Sequence, residues 1–189
     1  MSLRVSAILI VFFCSLVGNC SSFNTVMARS EIFGSITLFV QNVDLSRNFY
    51  RALGFWVWDD STFDKYDAAG VYGATDLPLT ADAKTSRIIR MGGKNDIGTS
   101  IALLSYNKPP LASARGNIMG VGTGDILLQI NTDDISSVYD KLQRIGARFH
   151  ARPARHEVFN KNGSLNFSGY RLLVYDPDGH LVEVFELAD

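Results

Sequence analysis

The side chains best able to bind an ion or move a proton lie mostly in the last third of the chain. Glu183 sits within Leu181-Val-Glu-Val-Phe-Glu-Leu187, an alternating run that reads as a strand. It therefore shares a face with Leu181 and Phe185, while Val182 and Val184 point the other way. A carboxylate between apolar neighbours must find a partner or see its pKa rise. That setting suits a metal ligand or a general base. It suits equally well a carboxylate hydrogen-bonded to the adjacent strand. Asp125 could supply a second oxygen donor, although a position just after Gly122-Thr-Gly124 is more natural for a turn residue. Among the histidines, His180 directly follows a turn, and its odd offset from Glu183 places it on the opposite face. His150 and His156 flank Arg152, Pro153 and Arg155 and read as rim residues, with His156 within reach of a cleft mouth. Arg152 and Arg155 are either an anion clamp or solvated charges. Trp56, Trp58, Phe63, Tyr66 and Tyr72 form an aromatic-rich stretch of the kind that lines an apolar cleft, a subunit contact or a core.

These groups need a scaffold, and an internal repeat supplies one. Ser35-Ile-Thr-Leu-Phe-Val-Gln-Asn-Val-Asp-Leu-Ser46 lies over Asp125-Ile-Leu-Leu-Gln-Ile-Asn-Thr-Asp-Asp-Ile-Ser136 without a gap. In both copies an alternating strand leads to an acidic helix cap, Asp44 or Asp134. Leu45, Phe49 and Leu53 then form one apolar stripe ending at Gly54; Ile135, Val138, Leu142 and Ile145 form another ending at Gly146. Strand-like runs follow at Phe55–Trp58, Arg87–Met91 and Thr99–Tyr106 in the first copy. In the second they lie at Arg148–Ala151, Tyr170–Tyr175 and Leu181–Leu187, the last two joined by the turn Asp176-Pro-Asp-Gly179. Asp59–Ser86 reads as a long functional loop, and Tyr106–Gly124 as the linker between copies. The expected fold is α+β, with two paired βαβββ modules forming a curved mixed sheet around a central cleft. Alternation assigns Ser35, Thr37 and Phe39 to the cleft face of the first strand, and Asp125, Leu127 and Gln129 to that face in the second copy.

Composition narrows the function classes. Eighteen basic and nineteen acidic side chains leave the chain near neutral with no basic stripe, which argues against a nucleic-acid partner. Both cysteines, Cys14 and Cys20, precede the folded part, so that part has no disulfide, thiolate metal site or cysteine nucleophile. Arg4, the apolar run Val5–Val17 and the small residues after it read as a signal peptide or lipoprotein-type leader over residues 1–22. Leu16-Val-Gly-Asn-Cys20 resembles a bacterial lipoprotein box, with Asn19 where that box carries a small residue. Residues 23–31 read as a linker and 32–187 as the domain, with modules at about 32–106 and 124–187. The expected location is secreted or periplasmic, with a lipid anchor at Cys20 as one form; a start at Met27 would make the protein cytoplasmic. Asn162-Gly-Ser and Asn166-Phe-Ser match the glycosylation sequon, which matters only in a eukaryotic secretory pathway.

Ile36-Thr-Leu-Phe-Val, Phe49-Tyr-Arg-Ala-Leu-Gly-Phe55 and Asp176-Pro-Asp-Gly-His-Leu-Val-Glu-Val184 together resemble the vicinal oxygen chelate superfamily of glyoxalases, bleomycin-resistance proteins and dioxygenases. The resemblance covers nearly everything after the leader. It implies four cleft positions that hold a metal ion in metal-using members, typically His, Glu, His and Glu. These fall on Ser35, near Ala102, on Asp125 and on Glu183. Ser35 is a poor ligand and Ala102 is none, whereas a tight zinc or iron site wants three or four donors including nitrogen. A divalent metal would have only Asp125 and Glu183 from the protein, a set suited to a loosely held hard ion.

The primary expectation is a protein that binds a small organic molecule in the inter-module cleft without a full catalytic metal site. Its candidate ligand-binding residues are Ser35, Thr37, Phe39, Asp125, Gln129, Phe185, Trp58 and Tyr72. The alternative is a metal-assisted lyase, isomerase or dioxygenase of glyoxalase type, with Glu183 as catalytic residue and Glu183 and Asp125 as metal ligands. A third reading, a cell-surface interaction module, rests on the leader alone. The resemblance also implies a homodimer, and membrane contact is expected only through the leader or a lipid anchor.

Overall fold

The computed structural model describes residues 35–67, 77–93, 100–113 and 120–187. Its first module runs β1 (Ile36–Phe39), α1 (Val43–Ala52), β2 (Trp56–Asp64), β3 (Thr85–Gly92) and β4 (Ile101–Asn107). The second runs β5 (Leu127–Asn131), α2 (Ile135–Arg144), β6 (Arg148–Phe159), β7 (Leu165–Tyr175) and β8 (Leu181–Leu187). Each module is a four-stranded mixed sheet, ordered β1-β4-β3-β2 and β5-β8-β7-β6. In both, the first strand runs parallel to the last and the other neighbours are antiparallel. The α+β pairing of two βαβββ units is therefore present as expected.

The helices form where an apolar stripe meets good caps. Asn42 caps α1, its side chain accepting from the N–H groups of Asp44 and Leu45, each at 3.1 Å. Asp134 caps α2, accepting from Ser137 N at 2.8 Å. Asp44 is thus not the cap assigned from the sequence; it sits in the first turn, where a negative charge favours the positive helix end. Gly54 and Gly146 follow the two helices at φ of 98° and 72°, a conformation costly for other residues.

One core joins both modules. Phe49 and Tyr50 of α1, and Val138 and Leu142 of α2, pack with Leu38, Ile89, Met91 and Leu103 of the first sheet. Leu128, Leu172, Val174, Val182 and Val184 of the second belong to the same cluster. Each large side chain buried there contributes roughly 1.5–3 kcal/mol. Hydrogen bonds pin the modules together beside this core. Tyr50 Oη donates to Asp176 Oδ2 at 3.0 Å, and Asp178 accepts from Gln41 N at 2.8 Å and from Ser46 Oγ at 3.1 Å.

Two connections carry more strand than expected. β2 continues to Asp64 because Asp59 and Asp60 are cross-strand partners rather than loop residues. Asp59 pairs with Arg90, and Asp60 takes a two-bond grip from Arg87 Nε and Nη2, both at 2.7 Å. Arg87 holds the Asp60 carboxyl below the usual carboxylate range. In the second module β6 and β7 extend well past their expected ends and turn at 160–164. β6 is the edge strand of its sheet, where Pro153 is tolerated, and the ladder bulges between Ala151 and Ala154. Among the described residues no helix is long and apolar enough to cross a membrane.

Candidate functional site

The sheet faces turned away from the helices carry the candidate site, and the two modules use theirs differently. In the first, Ile88, Ala102, Leu104 and Tyr106 form a second apolar cluster with Ala83, against which Phe63, Leu79 and Leu111 pack. Ala102, one of the four positions implied by the resemblance, is 3% exposed inside this cluster. Beside it lies a pocket of about 340 Å³ lined by Thr37, Phe39, Leu104, Tyr106, Leu111 and His180. Phe39 stacks on Tyr106 with ring centroids 6.2 Å apart. His180 lies near the second module's turn, its Nδ1 3.0 Å from Asp176 Oδ2. The buried Asp176 also accepts from the N–H groups of Asp178 and His180. Burial pushes the Tyr50 hydroxyl pKa well up, and also raises that of the Asp178 carboxyl.

The second module presents a polar cluster instead. Parallel pairing of β5 with β8 sets Gln129 opposite Glu183. Gln129 Nε2 donates to Glu183 Oε2 at 2.8 Å, and Arg171 Nη1 to Glu183 Oε1 at 3.3 Å. The same Nη1 lies 3.5 Å from His156 Nε2. Glu183 is 5% exposed, so nearly all its charge is compensated by protein rather than water. The rings of His156, Phe167 and Phe185 pack against one another, with centroids 5.0–6.1 Å apart.

The expected ligand residues therefore fall in several places. Thr37 and Phe39 line the first-module pocket. Gln129, Glu183 and Phe185 meet in the second-module cluster. Ser35 is exposed, directly before β1. Trp58 is 53% exposed on β2, across the sheet from β1, with the Arg90 guanidinium 5.8 Å from its ring centre. Tyr72 lies outside the described residues. Asp125 belongs to the turn before β5, where its Oδ2 accepts from Gly122 N at 2.7 Å. With helix caps at Asn42 and Asp134, the second copy aligns two residues later than the gapless match. Thr37 opposite Ala102 then corresponds to Gln129 opposite Glu183. On this register Leu127, not Asp125, lies over Ser35.

Two members of the polar cluster, Arg171 and Phe167, were not assigned from the sequence, and His156 was read only as a rim residue within reach of a cleft mouth. Arg171 alternates with Leu172 and Val174, so its cleft-facing parity was readable. Phe167 was hidden by the late start assigned to its strand, and the early end assigned to β6 left His156 outside it. Arg155, by contrast, is turned to Glu157, which it meets at 2.8 Å.

Two mixed βαβββ sheets around a shared core define a paired-module α+β protein. The chain belongs to the Glyoxalase/Bleomycin resistance protein/Dioxygenase superfamily, whose model matches residues 32–184. Its fold is similar to that of a glyoxalase family protein from Bacillus cereus, with TM-score 0.58, 18% identity, and coverage of 86% of this chain and 99% of that one. It is also similar to the V278E mutant of glyoxalase I from Zea mays, with TM-score 0.53 and 19% identity. There the match covers 82% of this chain but 44% of the maize chain, so this chain spans less than half of that protein. No curated protein matches the sequence.

A divalent ion of the kind found in metal-using relatives does not fit the residues present. Ser35 is a weak donor and Ala102 is none, Thr37 and Gln129 facing Ala102 and Glu183 offer only a hydroxyl and an amide, and Glu183 already has a guanidinium and an amide on its two oxygens. Among the described residues no three His, Cys, Asp or Glu side chains converge as a metal site.

Proposed function

We propose that this superfamily member binds a small organic molecule on the cleft faces of its modules and does so without a full catalytic metal site. The observation that carries the reading is the pairing of Glu183 with Arg171 and Gln129. A buried carboxylate is costly unless its charge is matched. In a metal-using relative the ion would supply the match; here a guanidinium does. The aromatic rings beside this pair, and the apolar pocket at Phe39 and Tyr106, offer the mixed lining typical of small-molecule sites. The metal-assisted lyase, isomerase or dioxygenase reading draws on Glu183 and Asp125, but Asp125 holds the Gly122 turn. Export through residues 1–22 and assembly as a homodimer belong to the same proposal.

A thermal-shift screen of the chelator-treated protein against small acids, amines, aldehydes and thiol conjugates tests it. Ligands that bind only the native state raise the melting temperature with concentration. Stabilisation in the presence of chelator is expected. Stabilisation that requires an added divalent ion would overturn the metal-free reading.

A further inference from the structure

The Arg171 side chain has one committed corner and one open edge. Its Nη1 faces Glu183 Oε1 at 3.3 Å and His156 Nε2 at 3.5 Å. Its Nε–H and Nη2 donate to no protein group among the described residues. These two groups lie on one side of the planar guanidinium, in the fork that matches both oxygens of a carboxylate. The side chain is 34% exposed, so that edge is reachable, while the Glu183 side chain beneath it is 7% exposed and anchors the group from behind. Pre-anchoring of this kind reduces the side-chain entropy lost when the fork engages a ligand.

The surroundings select the rest of the ligand. Register places Arg171 opposite Phe185 on β8, and Gly169, which adds no side chain, opposite His156 on β6. Phe185 and Phe167 meet edge to face at 5.0 Å, with His156 about 6 Å from each. A flat ring or conjugated system fits beside such rings better than a flexible chain, because it gains contact without losing rotamers. A donated proton from Arg171 to His156 Nε2 would also require the imidazole proton on Nδ1. Glu183 and Arg171 cancel in charge, so recognition comes from the geometry of the fork more than from net attraction.

We infer that the Arg171 Nε/Nη2 edge, flanked by His156, Phe167 and Phe185, is a subsite for a planar carboxylate, an aromatic or conjugated acid. This rests on the small-molecule reading above and specifies the ligand class for the second-module cluster.

The test titrates the full chain, with chelator present, with 2-naphthoate and with its neutral amide 2-naphthamide, by isothermal calorimetry and amide NMR. The acid is expected to bind at least tenfold more tightly than the amide, with shifts at β6, β7 and β8. Arg171→Lys keeps the charge facing Glu183 but lacks the fork, and should lose about tenfold in affinity for the acid and little for the amide. Phe185→Ala should weaken both probes. Equal binding of acid and amide, or an Arg171→Lys protein that binds the acid as wild type does, would overturn the subsite yet leave small-molecule binding intact. Absence of binding by either probe would also overturn it, while the ligand screen separately decides the broader reading. A native-like amide spectrum for each variant separates loss of the site from loss of the fold.

Discussion

The Tyr50 hydroxyl donates to Asp176 Oδ2 at 3.0 Å, linking the helix of one module to the β7–β8 turn of the other. Both residues belong to the signatures by which the chain resembles its superfamily, Phe49-Tyr50 and Asp176-Pro-Asp-Gly179. Neither side chain touches the Glu183 cluster in the hydrogen bonds it makes. Asp176 organises the turn through the Asp178 and His180 N–H groups, and Asp178 reaches the start of α1. These signatures therefore mark module docking, which explains how they can report the fold while saying little about a substrate.

Tyr50→Phe should keep the buried ring and remove this one bond. A loss of about 1–2 kcal/mol is expected, because Asp176 is left with a less satisfied buried oxygen. Urea denaturation checks it: the midpoint should fall with an unchanged slope. An unchanged midpoint would mean the bond adds nothing to docking.

Asp178 and Asp60 should affect acid stability with opposite signs. Burial raises the Asp178 pKa in the folded state, so the native protein binds the proton more tightly than the unfolded chain. Ionised Asp178 then costs stability above its raised pKa, and the cost disappears as pH falls towards the unfolded value of about 3.9. Asp178→Asn should gain relative to wild type as pH rises through that window. Asp60 has its pKa lowered by Arg87. Its contribution is present above about 3.9 and lost as pH falls through the lower folded value. Asp60→Asn should be less stable at neutral pH and converge with wild type in acid. Denaturation midpoints measured from about pH 2.5 to about pH 7 check both, and a variant that runs parallel to wild type across that range would contradict its assigned shift.

Much of the architecture was legible because it rests on period and punctuation. The alternation of β1 and β8, the two apolar helix stripes and their terminal glycines all reflect local rules. What was not legible depended on partners far along the chain. Asp59 and Asp60 look like loop residues until Arg90 and Arg87 stand across from them. Pro153 reads as an end to β6 unless that strand is known to be an edge. The choice between Asn42 and Asp44 as the cap decides which residue of the second copy stands over Ser35, and either can cap a helix. Glu183 could be identified as a buried carboxylate, but its partner Arg171 lies on another strand and is fixed only by register.

Residues 1–22, expected to be a cleaved or acylated leader, can be tested by intact mass and N-terminal sequencing of protein expressed from the full reading frame with secretion machinery. A mature chain beginning near Phe23, or at a lipid-modified Cys20, is the expected product. A chain beginning at Met27 in the cytoplasm would refute export.

Light scattering should show a dimer if the homodimer proposal holds. The exposed Trp56 and Trp58, at 52% and 53%, offer apolar surface on the outer strand of the first sheet. A purely monomeric mass at micromolar concentration would count against it.

The proposal that a guanidinium takes the place of a metal ion beside Glu183 is tested most directly by calorimetric titration of the apoprotein with Zn²⁺, Ni²⁺ and Mg²⁺, backed by elemental analysis. No stoichiometric binding is expected in the wild type, and Glu183→Gln should titrate like it. One divalent ion per chain, bound at micromolar concentration or tighter and lost in Glu183→Gln, would contradict the metal-free site.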